Sequence, residues 1–455
     1  LVVCGQLALA SGCVLAPGAA RREQAALAAA GASYRIPFAE RALPALPAQP
    51  SWRDVLARTL LANGEVEGAY FAWAAAVHRI ERAGAYPNTP ISLDFSYAFS
   101  GGGGKAFDRT SLGLGFDPME NLAFPTKIYQ AAKVATAEAQ AAGERLVGVK
   151  FEVQRRVLEE WIDYGLLAER LRIQQEKAAW QRLVAETAAS RVAAGGARQD
   201  LLRAETARRL AENDLETSAA GLAQARTRLN AMMVREPDAL LAPPAEMEPP
   251  RLLPADDATL LAAAAEHNPD LAALARQVQG RRDALELAHM QYIPDFNPFV
   301  GTDGAASQLA GMVISIPTML REVGGMIRES RADLRGALAR YRQTQYDRAA
   351  AVVAALCVVR NTDRQVALFG GPIRRAADAV VASAHLAYAS GTGAYPELVE
   401  AQQIRLDIRL LAAEARAARE KAVADLEALV GLDVETLTAR VAPAATPTTV
   451  AEVRR

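Results

Sequence analysis

From Ile91 to Ser100 the chain reads ISLDFSYAFS, and apolar residues occupy every second place. Ile91, Leu93, Phe95, Tyr97 and Phe99 share one face; Ser92, Asp94, Ser96 and Ser100, with Ala98, share the other. Such alternation predicts a strand whose two faces meet different surroundings. The glycine-rich stretch 101–109 forms a loop. Thr110, Leu112, Leu114 and Phe116 then alternate with Ser111, Gly113, Gly115 and Asp117 on a returning strand, which Pro118 closes. A second hairpin has one strand near Phe296–Gly301, a loop at Thr302–Ser307 and a return near Gln308–Ile316, closed by Pro317. On that return, Met312, Ile314 and Ile316 share a face. These strands approach the roughly 9–11 residues that a tilted strand needs to cross a bilayer.

Helical periodicity governs most of the remainder. It predicts helices over about 51–85, 126–192, 198–233, 268–290, 320–389 and 396–430, with a kink or break at Gly370-Gly371-Pro372. The helix at 126–192 carries two apolar stripes. Leu146, Val149, Val153, Val157, Trp161, Tyr164, Ala168 and Leu171 form the first. Val147, Phe151, Leu158, Ile162, Leu166 and Ile173 form the second, turned by about 100°. A helix striped in this way can touch a neighbour on each side, as a closed ring of helices requires. Taken alone, the stripes favour an antiparallel bundle; the hairpins shift the weight towards a ring.

The same plan occurs twice. Arg191–Glu205, RVAAGGARQDLLRAE, matches Tyr388–Gln402, YASGTGAYPELVEAQ, at an offset of 197. Gly196 then pairs with Gly393, Ala197 with Ala394 and Asp200 with Glu397. A unit of that length is too long for a solenoid and reads as a duplicated half-protein. The division is 1–13 signal-like segment, 14–50 weakly structured lead-in, 51–235 first repeat, 236–262 proline-rich connector, 263–433 second repeat and 434–455 disordered tail.

Composition narrows the function. The net charge of −1 gives no reason to expect nucleic acid. Three cysteines and four scattered histidines supply no disulfide framework or metal motif. No nucleophile–base constellation or phosphate loop is present, so the chain is not expected to be an enzyme or to need a cofactor. No apolar run is long enough for a transmembrane helix, which leaves β-barrel strands open. Apolar Leu1–Leu9 followed by Ala10-Ser11-Gly12-Cys13 resembles a bacterial lipoprotein signal, with Cys13 lipidated; an ordinary secretory signal is the alternative. Four strands cannot close a barrel alone, so the hairpins must pair with those of other subunits or lie outside a membrane. Three chains would bring about twelve strands together.

The pattern resembles the TolC-like outer-membrane efflux protein family over about residues 51–433. The resemblance is carried by the duplicated plan, by Asn268-Pro269-Asp270-Leu271, by Pro294-Asp295, and by Tyr388, Gly391, Leu398, Val399, Ala401 and Gln402 at the second turn. Two departures are Asn63-Gly64, where Asn-Pro is usual, and Pro396 at the second turn. The resemblance implies a mainly α fold with a small β part: duplicated long helical hairpins forming a trimeric α-barrel, capped by a twelve-stranded outer-membrane β-barrel. It implies an exit duct in a Gram-negative outer membrane extending into the periplasm, working with a periplasmic adaptor and an inner-membrane pump. Gly195, Gly196, Ala197, Gly391, Gly393 and Ala394 would be adaptor-docking tips. Asp200, Glu397, Glu400 and Asp407, with Glu205 nearby, are candidate lumen or gate acids, since threefold symmetry would turn each into a ring. A pore-free, lipid-anchored periplasmic scaffold and a type I secretion duct are the rival readings.

Overall fold

The computed structural model describes residues 14–86, 91–97, 110–116, 123–247, 249–253, 256–303, 307–316, 318, 320–390, 392 and 395–441. Cys13, Gly391, Gly393 and Ala394 lie outside these residues.

The helices α1 (Gly18–Ala30), α2 (Trp52–Ala62) and α3 (Gly64–Gly84) precede the first hairpin. β1 (Ile91–Tyr97) and β2 (Thr110–Phe116) follow, then α4 (Pro125–Ala193) and α5 (Arg198–Met232). The order recurs as α6 (Asp257–His267), α7 (Pro269–Met290), β3 (Asp295–Asp303) and β4 (Ser307–Ser315). Next come α8 (Leu320–Leu368), a π-turn (Phe369–Ile373), α9 (Arg374–Ala389), α10 (Tyr395–Val430) and α11 (Val434–Val441).

Several boundaries differ from the expectation. The helix expected over 51–85 breaks at Asn63, whose extended backbone (φ −71°, ψ 125°) ends α2. Asn268 does the same between α6 and α7 (φ −60°, ψ 120°). Gly64 thus marks the same corner that Pro269 marks more visibly. The lead-in 14–50 contains α1, with Ala20 and Leu27 buried. The connector is shorter than 236–262, because α6 starts at Asp257 behind an Asp256 side-chain cap. The segment assigned to a disordered tail opens with α11, whose Val434 and Leu437 are buried.

The strands form one antiparallel sheet in the order β1-β2-β3-β4. Ile91, Leu93 and Phe95 stand opposite Phe116, Leu114 and Leu112, so the alternation of one strand is in register with that of the next. β2 and β3 join the hairpins through Gly113↔Asp303 to Phe116↔Val300.

The chain divides into two compact units. The first comprises 1–35, 69–146 and 270–344 and contains the sheet. Within it, Tyr34 stacks on Tyr70 at 4.8 Å between ring centroids, and Ala288, Val323 and Ile327 form a small core. The second comprises 36–68, 147–269 and 345–455. Its core joins Leu260, Val352, Leu356, Leu426, Val430 and Leu437. Among the described residues no helix is long and apolar enough to cross a membrane.

Candidate functional site

Both turns between long helices lie in the second unit. The first is closed by a Schellman arrangement: Gly196 N–H donates to the Arg191 carbonyl at 2.8 Å, and Gly195 N–H to Val192 at 3.0 Å. Gly195 has φ +98°, a conformation that costs an L-residue energy. A Cβ on Gly196 would lie 2.8 Å from the Arg191 carbonyl oxygen. The two glycines are therefore required for different reasons, one for dihedral and one for space.

At the second turn, Thr392 N–H donates to the Ala387 carbonyl at 3.0 Å, the bond that Gly196 makes in the first. The Ser390 hydroxyl reinforces it, donating to the same carbonyl at 3.1 Å. The second turn is one residue longer: four residues separate α4 from α5, and five separate α9 from α10. The offset of 197 therefore aligns the helices after the turns and slips by one before them. Pro396 is the second residue of α10, where its missing N–H has no helical carbonyl to meet. The turns are neighbours: the Arg191 guanidinium lies 5.1 Å above the Tyr395 ring, and Tyr395 lies 5.6 Å from Tyr388.

Asp200 and Glu397 occupy the same place, the third residue of α5 and of α10. There the helix dipole favours a negative charge. Asp200, Glu397, Glu400 and Asp407 are exposed and Glu205 is half-buried. Ion pairs steady other acids in this unit, whereas these five form none among the described residues.

Behind the turns, α4 is flanked on both sides. Arg228 of α5 reaches Glu160 at 2.8 Å, and Arg182 reaches Glu212 at 3.6 Å. Towards α10, Arg155 pairs with Asp425 at 3.3 Å, Arg170 with Glu414 at 3.8 Å, and Arg409 with Glu176 at 2.6 Å. Lys421 with Asp163 completes this antiparallel ladder. α4 thus makes ion pairs to a neighbour on each side.

Other anchors join residues distant in sequence. Lys127, 4% exposed, donates to Asp295 at 2.9 Å and to the Ile293 carbonyl at 2.7 Å. Asp295 also accepts from Phe124 N–H at 2.9 Å, so it ties the start of β3 to the start of α4. Asn268 donates to the Leu429 carbonyl at 2.6 Å. Gly431 (φ +76°) packs so close that a Cβ would lie 2.5 Å from the His267 carbonyl oxygen. The connector is clamped rather than loose. Arg251 meets Glu420 and Glu427, each at 2.9 Å, and the buried Tyr164 hydroxyl donates to the Leu241 carbonyl at 2.6 Å. Burial raises the Glu427 carboxyl above its ordinary range despite Arg251.

Among the described residues no group of side chains could hold a metal ion. No family model matches the chain, and neither does any curated protein. Solved structures do. The outer-membrane channel OprN is 18% identical, with a TM-score of 0.69, 84% of this chain covered and 90% of that one. The open state of the MtrE outer-membrane channel of Neisseria gonorrhoeae is 17% identical, with a TM-score of 0.69, 84% of this chain covered and 89% of that one. The outer-membrane protein VceC of Vibrio cholerae is 14% identical, with a TM-score of 0.68, 84% of this chain covered and 96% of that one. The chain thus has the fold of TolC-like outer-membrane channels, mainly α with long helices.

Proposed function

We propose that the chain is one subunit of a trimeric outer-membrane exit duct. The observation that carries this reading is the single four-stranded sheet, ordered β1-β2-β3-β4, in a chain with a channel fold. Its outermost strands each pair with one partner, and in lipid such edges must be closed. Two further copies close them into a twelve-stranded barrel. The outward apolar side chains fit the same assembly: Leu210 on α5, Tyr346 on α8 and Leu386 on α9 are 61%, 70% and 70% exposed. On this reading 51–235 and 263–433 are two copies of one unit, and their helical hairpins build a periplasmic α-barrel.

The remaining roles follow from that assembly. The turns at Gly195–Ala197 and Gly391–Ala394 dock a periplasmic adaptor, and an inner-membrane pump supplies the energy. Passage is passive, for small molecules or ions, and no bond is made or broken. Cys13 is lipidated and adds an anchor in outer-membrane lipid. Asp200, Glu397, Glu400 and Asp407 form acidic rings that favour cations at the narrow end. A pore-free scaffold has no use for paired hairpins; a type I secretion duct would share the architecture and differ in its pump.

The test is extraction from Gram-negative outer membranes in mild detergent, followed by mass measurement. Three chains of 48.5 kDa give about 145 kDa. A monomer or a soluble species sinks the reading. With the trimer in a planar bilayer, Asp200→Asn combined with Glu397→Gln should reduce cation preference; unchanged selectivity removes the acidic-ring assignment.

A further inference from the structure

The second unit contains a cleft of about 510 Å³ between α4, α9, α10 and the connector. Its charge is lopsided. Arg172, Arg374, Arg405, Arg409 and Arg416 line it, against Glu169, Glu246 and Asp378. Two of these acids are already engaged. Glu169 lies 2.9 Å from Arg172 and 3.5 Å from Arg409, and Asp378 lies 4.0 Å from Arg374.

Arg405 and Arg416 lack an acidic partner among the described residues. The Nε of Arg405 is shielded from solvent and has no acceptor. A guanidinium donor sheltered in this way forfeits hydration without a hydrogen bond in return. Arg405, Arg409 and Arg416 are spaced four and seven residues apart, so they share one face of α10. Arg172 and Arg374 flank that face from neighbouring helices. Planar guanidinium forks arranged around an open volume suit the paired oxygens of phosphate or carboxylate groups. The volume exceeds that of a single inorganic ion, which favours a solute carrying several such groups.

We propose that this cleft binds a small multivalent oxyanion, held by Arg405 and Arg416 with Arg172, Arg374 and Arg409 around it. The site goes beyond the duct reading, since it needs only the second unit of each chain.

Calorimetric titration of the full-length detergent-purified protein tests this. Inorganic pyrophosphate and citrate are titrated separately at constant ionic strength, set with sodium chloride. Saturable binding of one ion per chain is expected; pyrophosphate alone identifies a phosphate ligand and citrate alone a carboxylate. Arg405→Gln with Arg416→Gln should weaken binding about tenfold or more at unchanged far-UV helicity. Arg416→Gln alone, at an exposed position, should weaken it in the same direction without affecting folding. The absence of saturable heat with both anions, or wild-type affinity in either variant, overturns the proposal. Trimer mass is read on the same samples, so failure here is distinct from failure of the duct.

Discussion

Two long helical runs of nearly equal length are built differently. α4 is unbroken for 69 residues, about 100 Å at the usual rise. The matching run, Leu320–Ala389, is one residue longer but passes through a π-turn containing Gly370, Gly371 and Pro372. Partners explain the contrast. α4 lies between α5 and α10, and Val153, Val157, Trp161 and Tyr164 are buried. A bend there would disturb two packed seams. No residue of the π-turn Phe369–Ile373 is buried, so an irregularity there disturbs less. Proline removes a helical N–H and crowds the preceding turn, and a π-turn relieves that locally. Coverage, rather than length, decides which run stays regular.

Substitutions can break this comparison. Val157→Pro should have the largest effect, a loss of more than about 3 kcal/mol in urea unfolding. Gly371→Ala, within the existing irregularity, should change stability by no more than about 1 kcal/mol; comparable losses would refute the coverage argument. Tyr164→Phe leaves the Leu241 carbonyl without its buried donor and should cost about 1–3 kcal/mol. Gly195→Ala should cost about 1–2 kcal/mol, because φ is +98° there. The smallest effect is a slope. Burial raises Glu427, so the folded chain binds its proton more readily than the unfolded chain. Its contribution is fully present below the ordinary value of 4.5 and is lost as pH rises through the higher folded value. Glu427→Gln should flatten stability against pH in that window; an unchanged slope would exclude the assignment.

Much of this architecture could be read from residue patterns because it is local. Alternation at Ile91–Tyr97, the stripes of α4 and the glycines at 195–196 each report a backbone period or dihedral. The Asn63 corner was hidden because Gly64 fits a helix start without the signature that Pro269 gives. α1 and α11 are short, and their burial depends on segments distant in sequence. The clamps from Lys127 to Asp295 and from Arg251 to Glu420 join residues 168 and 169 positions apart. Periodicity carries no information about such distances. The Arg405–Arg416 face is visible as helical spacing, but the absence of an acidic partner for Arg405 and Arg416 among the described residues is a property of the folded unit.

The charge ladder between α4 and α10 also behaves as a combination lock. Suppose α10 slid by four residues, about one helical turn. In one direction Asp425 would take the place of Lys421 and confront Asp163; in the other Lys421 would take the place of Asp425 and confront Arg155. Each individual pair is weak and salt-screened. Their order along the helix nevertheless penalises both neighbouring alignments, so a helix with a monotonous alanine surface has one addressable position against its neighbour.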